Sequence, residues 1–156
     1  MEKYVEIIKL LVSNRDEMNS IIDGLIEIKS NPSLYEDTFF RMPDDSQDIT
    51  WLAMVDILIE SGYAFEIDWK EDYSTAKNQT EILLKNKSVS IDIEKDQDLY
   101  HLEAGSFFPL LNEKIEKSGY QLLNLDIDSD SYVSILVNNE NINKLLSLDD
   151  RIKEYR

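Results

Sequence analysis

"GYQLLNLDIDSDSYVSILV", residues 119–137, is the stretch whose reading decides the fold. Two apolar runs flank a run of aspartate and serine. Leu123, Leu125 and Ile127 share one strand parity, and Val133, Ile135 and Val137 answer them on the returning run. Asn124, Asp126 and Asp128 take the other parity, which is expected to give a polar face open to water. Aspartate and serine favour turns because their short side chains bond nearby backbone. Strands are therefore expected over 120–127 and 132–138, joined as a hairpin.

The same stretch spaces Asp126, Asp128 and Asp130 two apart, as a calcium loop begins. An EF-hand loop also needs glycine at its sixth position and a bidentate glutamate at its twelfth, between two helices. Counted from Asp126, those positions hold Ser131 and Val137, and the flanks read as strands. The stretch is not an EF-hand.

Upstream, "YAFEIDW" (63–69) alternates, with Tyr63, Phe65, Ile67 and Trp69 on one side and Glu66 and Asp68 on the other. That is the pattern of a half-buried strand, with Trp69 read as a core anchor. It follows a helix over 49–61, with Trp51, Leu52, Val55, Leu58 and Ile59 on one face, that Asp48 caps and Gly62 ends. A helix over 74–86 leads to "VSIDIE" (89–94), read as a further strand, so a parallel crossover is expected between the two strands. The polar segment 95–103 gives no clear reading. Ser106 is expected to cap a helix running to about 118, with Pro109 in its first turn and Gly119 stopping it.

The N-terminal third reads as helical. Tyr4, Val5, Ile7, Ile8, Leu11 and Val12 mark a helix over 2–13; Met18, Ile21, Ile22, Leu25 and Ile26 mark another over 15–30, capped by Ser13 or Asn14. Residues 31–48 read as a loop with two of the three prolines, and a last helix starts near 140. "LIESGYAFEID" (58–68) and "IEKSGYQLLNLD" (115–126) echo each other. A duplication would produce such an echo, and so would the shared physics of leaving a helix at glycine and entering a strand at an aromatic. The expectation is one α+β domain over 1–156, with a mixed, four-stranded sheet, a C-terminal hairpin and covering helices.

The charge is unusual, with 16 basic residues against 32 acidic ones and a formal net charge of −16. Such a field repels nucleic-acid phosphate and anionic membranes and favours basic protein partners. The absence of cysteine excludes disulfides, thiolate metal sites and thiol nucleophiles. The single histidine, His101, lacks partners for the usual zinc sites, and neither a G-x-S-x-G elbow nor a glycine-rich nucleotide loop occurs. No cofactor or metal is expected. Glu6 and Lys9 interrupt the apolar N-terminal run, and no run has the length of a membrane span, so a cytoplasmic location is expected.

Asp68-Trp69-Lys70 matches the D-x-K half of a metal-dependent nuclease signature, with Asp44 as the imaginable upstream carboxylate. A full helix separates the two, where that chemistry needs adjacent strands. The leading reading is a non-catalytic acidic binding module, of the immunity or inhibitor type, for a cationic protein. Glu66, Asp68, Asp126, Asp128 and Asp130 are the contact candidates, taken to lie on polar sheet faces or at strand ends. The alternative is a metal-dependent hydrolase using Asp68, Lys70 and the Asp126/Asp128 pair. A self-associating protein, with a patch drawn from Phe39, Phe40 or Phe107, is a third reading.

Asp68-Trp69-Lys70-Glu71 and Asp128-Ser129-Asp130-Ser131-Tyr132, a strand end and a hairpin, together resemble the pattern of a small bacterial family of unknown function. The resemblance spans 48–138 and leaves the two N-terminal helices outside. It implies no activity; it does imply that the two patches share a surface.

Overall fold

The computed structural model describes every residue of 1–156 except residue 95, the first of the 95–103 segment. The chain forms two compact units, 1–62 and 63–156.

The first unit is helical: α1 (Glu2–Leu11), α2 (Arg15–Ser30), α3 (Ser33–Thr38) and α4 (Ile49–Glu60). Asn14 caps α2, its side chain accepting from the amides of Asp16 and Glu17 at 3.0 and 3.1 Å. The buried stripe of α2 is Ile21, Leu25 and Ile28, whereas Ile26, expected within it, is 46% exposed. Asp48 caps α4 as expected, accepting from the Trp51 amide and from the Tyr4 hydroxyl. Trp51 to Asp56 are all buried, so α4 is a central helix and not a one-faced one. The expected 31–48 loop contains α3, whose Tyr35 is fully buried. Phe40 and Met42 beyond it are fully exposed, while Phe39 and Phe107 are buried, so those three phenylalanines form no common patch.

The second unit holds β1 (Ala64–Asp68), α5 (Tyr73–Asn86), α6 (Ala104–Ile115), β2 (Tyr120–Leu125), β3 (Ser131–Asn138), α7 (Ile142–Leu148) and β4 (Ile152–Glu154). The class is α+β and the sheet has four strands, in the order β1-β3-β2-β4. Every neighbouring pair is antiparallel. The expected crossover is absent because 89–94 makes no ladder; the fourth strand is instead the three-residue β4. The hairpin forms as expected, with Leu123 opposite Ile135 and Asn124 opposite Ser134.

The helices before β1 and β2 end as their shared Ser-Gly-Tyr implies, with Gly62 at φ 77° and Gly119 at φ 82°, conformations that suit glycine. Glu103, not Ser106, begins α6: its carbonyl accepts from the amides of Ser106 and Phe107. Pro109 accordingly sits inside the helix. Ala104, Phe107, Phe108, Leu111 and Ile115 form the buried stripe of α6 and join Phe65, Ile67, Leu122 and Leu136 in one core cluster. The sheet face bearing Asn124 is thus covered, correcting the expectation of an open polar face. On β2, the Asn112 side chain donates to the Leu122 carbonyl at 3.0 Å and accepts from its amide at 2.8 Å. β4 pairs only with Leu123 to Leu125, so Asn112 takes the part of a ladder partner where that strand does not reach.

Helix α5 closes with Ser88 in the left-handed region, φ 59°. The Ser88 amide donates to the Lys85 carbonyl and the Val89 amide to that of Leu84, the two bonds of a Schellman cap. Ser88→Gly removes the Cβ strain of that conformation. It is expected to raise the urea midpoint, by about 0.5–1 kcal/mol in unfolding free energy.

Candidate functional site

Strands β1 and β2 are both antiparallel to β3, so they run the same way and end beside the hairpin turn. Asp68 closes β1 and Asp126 follows β2, with β3 between, so their strands stand about 10 Å apart, two ladder spacings. Register places Glu66 and Asp68 on the face of Val133 and Ile135, and Asn124 on the opposite face with Leu122 and Leu136. Glu66 is half-buried on a face whose Val133 and Ile135 are fully buried, so it does not lie on an open polar face as expected.

Each aspartate candidate has a local structural role or a place in the turn. Asp68 accepts from the Lys70 amide at 2.9 Å and turns the chain out of β1. Asp126 accepts from the Asp128 amide at 2.9 Å, while Asp128 holds φ 55°. The Ser131 amide donates to the Ser129 hydroxyl at 3.1 Å. Side-chain bonds thus shape the turn, as serine and aspartate do in loops.

A shallow groove of about 520 Å³ opens at this end of the sheet. Trp69 and Tyr132 supply aromatic walls, Asp126 and Asp130 carboxylates, and Asn124 and Lys153 further polar groups. Two of the five candidates therefore line the groove, and Glu66, Asp68 and Asp128 do not. The alternation of 63–69 predicts Trp69 as a core anchor, but β1 ends at Asp68 and Trp69 is 41% exposed. The Lys70 ammonium sits 5.1 Å from its ring centroid, so one cation already uses the ring. Sequence reasoning missed Lys153, which lies on β4, and gave Tyr132 no chemistry of its own. Tyr132 is held by Phe108, ring centroids 5.7 Å apart, and by the bare Gly105, where a Cβ would stand 3.1 Å from the Tyr132 hydroxyl.

Charge in the groove is partly compensated. Lys153 donates to Asp126 at 2.5 Å and holds that carboxyl below the usual carboxylate range; Asp126 raises the lysine in return. Asp130 has no hydrogen-bond or ion-pair partner among the described residues. Behind the groove, the buried Ser134 hydroxyl lies 2.6 Å from that of Tyr155, and burial pushes the Tyr155 phenol up.

The depressed Asp126 value means its contribution is present above the ordinary carboxylate range and lost as pH falls through the folded-state value. The raised Lys153 value means a contribution present below the ordinary lysine range and lost as pH rises through its own folded value. Both side chains are over a third exposed, so the pair is expected to be worth only about 0.5 kcal/mol. Urea titrations of wild type and Lys153→Met should differ by that amount at neutral pH and converge in acid.

Among the described residues, no group of three or more His, Asp or Glu side chains is placed to hold a metal ion. No helix among them is long and apolar enough to cross a membrane.

Both quoted patches, 68–71 and 128–132, lie within residues 3–153, which match a single family model. The chain belongs to the family described as a domain of unknown function, DUF6630. The DUF6630 match takes in α1 and α2, so the family extends beyond the 48–138 that the sequence resemblance covered. No curated protein and no solved structure gives a match.

Proposed function

We propose that this DUF6630 chain is a non-catalytic acidic module that binds a basic protein through the groove at the strand ends. The observation that carries the reading is Trp69, exposed beside an Asp130 carboxylate that has no partner among the described residues. Tryptophan is enriched among the residues that dominate interface energy, because its flat ring buries much area at small entropic cost. A lysine or arginine of the partner can lie along the ring and reach the carboxylate. Asp68 and Asp128 lie at the same end of the sheet and add to the attraction. The net charge of −16 supplies steering at longer range. An immunity or inhibitor role fits such chemistry, in the cytoplasm or wherever the basic partner resides.

The test is a pull-down from the native host's lysate with wild type, Trp69→Ala and Asp130→Asn as baits. The expected result is one basic protein held at low salt and released at high salt. With that partner purified, Trp69→Ala should weaken binding about 30-fold, a loss of roughly 2 kcal/mol. Asp130→Asn should act mainly on the association rate and flatten its salt dependence. Equal retention by all three baits would sink the assignment of this groove.

A further inference from the structure

We propose that the run 89–93, whose side chains alternate between buried and exposed, is a strand-addition site, which takes an extended segment of a protein partner carrying lysine or arginine at alternate positions. The run has the exposure pattern of a strand. Val89 and Ile91 are half-buried and Ile93 is 1% exposed, while Ser90, Asp92 and Glu94 point to solvent. It is nonetheless in no ladder. Among the described residues, the backbone groups of Ser90 to Ile93 make no hydrogen bond to another protein group. A run whose exposure alternates with period two and whose backbone donors and acceptors are unused within the described chain can serve as a template for another strand.

Both ends of the run are fixed. The Val89 amide is bound to the Leu84 carbonyl at the end of α5. The Glu94 carbonyl accepts from the Asp96 amide at 3.0 Å and from the Tyr73 hydroxyl at 3.3 Å. Tyr73 itself is fully buried, so the second fastening belongs to the core. The run is fastened at both ends before any partner arrives, which lowers the ordering cost of binding. A groove of about 610 Å³ runs beside it, bounded by Ser88 to Asp92 on one side and by Glu81 and Lys85 of α5 on the other.

Charge selects the occupant. The solvent-facing positions are Ser90, Asp92 and Glu94; across the groove Glu81 is paired with Lys77 at 2.6 Å and Lys85 adds a cation, so the acidic character comes from the run itself. A second copy would set these acidic positions against each other, between two chains of net charge −16. A segment with lysine or arginine opposite Asp92 and Glu94 gains cross-strand pairs instead. This site is separate from the strand-end groove and does not depend on it.

The test uses the full chain and a short capped peptide alternating lysine and valine, with amide hydrogen exchange read residue by residue. Exchange at alternate amides within 90–93 is expected to slow about tenfold or more at saturation. The same peptide N-methylated along its bonding edge, or with glutamate for lysine, should leave those amides unchanged. Asp92→Lys, at an exposed position, should weaken the lysine peptide about tenfold and admit the glutamate peptide. Unchanged exchange across 90–93 would overturn the site, as would equal binding of the N-methylated peptide. A peptide that alters only Trp69 fluorescence would also overturn it while supporting the strand-end groove. Dimerisation protecting 90–93 would show that the occupant is a second copy.

Discussion

Asp56→Ala should lose about 3 kcal/mol of unfolding free energy, enough to consume a large part of a typical domain's stability. Asp56 is 7% exposed and sits in the middle of α4. Its Oδ2 accepts from the Tyr35 hydroxyl at 2.6 Å and its Oδ1 from the Arg41 Nε at 2.7 Å. One carboxylate thereby fastens both α3 and the segment after it to the central helix. Truncation takes away a carboxylate from the guanidinium and an acceptor from a fully buried phenol. The Arg41 side chain is 22% exposed and can turn partly to water, which keeps the expected loss at the lower end for buried pairs. Urea unfolding of Asp56→Ala, Arg41→Met and the Asp56→Leu/Arg41→Met pair separates the terms. The double variant should recover much of the loss, because two apolar groups leave no charge stranded. A single variant as stable as wild type would show that the fastening contributes nothing.

Phe108→Ala should cost about 3–5 kcal/mol, the range for removing a fully buried aromatic ring. The ring is stacked on Tyr155 at 4.2 Å between centroids and 10° between planes. It also meets Phe107 at 5.1 Å and Phe65 at 6.4 Å, tying α6 to the sheet. The consequence reaches the strand-end groove because Tyr132 leans on the same ring. Phe108→Leu should recover most of the stability but leave Tyr132 less well fixed. Near-ultraviolet dichroism should therefore remain altered in Phe108→Leu after the denaturation midpoint has largely returned. A full return of both would mean that Tyr132 is held by other contacts.

The parts of the fold that were legible are those where one local rule acts alone. Gly62 and Gly119 end their preceding turns at positive φ, and Asn14 and Asp48 cap their helices through side-chain oxygens. The alternation of Phe65 and Ile67 reports their burial correctly. The same rule misreads 89–94, because alternation records which side chains are buried and is silent on whether the backbone has a partner. β4 has three residues and α3 has six, too few to establish a period against their surroundings. Trp69 shares parity with Phe65 and Ile67, yet it stands one residue past the end of the ladder, where parity no longer sets direction. Lys153 is 27 residues from the Asp126 it pairs with, a distance at which no spacing rule operates. The five carboxylates followed from charge and turn chemistry; that Trp69 and Lys153 share a groove with Asp126 and Asp130 depended on strand order.

Strand order also sets a timetable for synthesis. Central strand β3 is translated after both of its neighbours, and β1 has no other partner in the sheet. Ser131, which closes the ladder with Asp68, emerges roughly sixty residues later, or about 3–12 s at ordinary elongation rates. Through that interval Phe65 and Ile67 belong to a nascent strand whose permanent neighbour does not yet exist. Two residues that later join the core cluster of Phe108, the ring on which Tyr132 leans, are thus also ones a ribosome-associated chaperone would find uncovered.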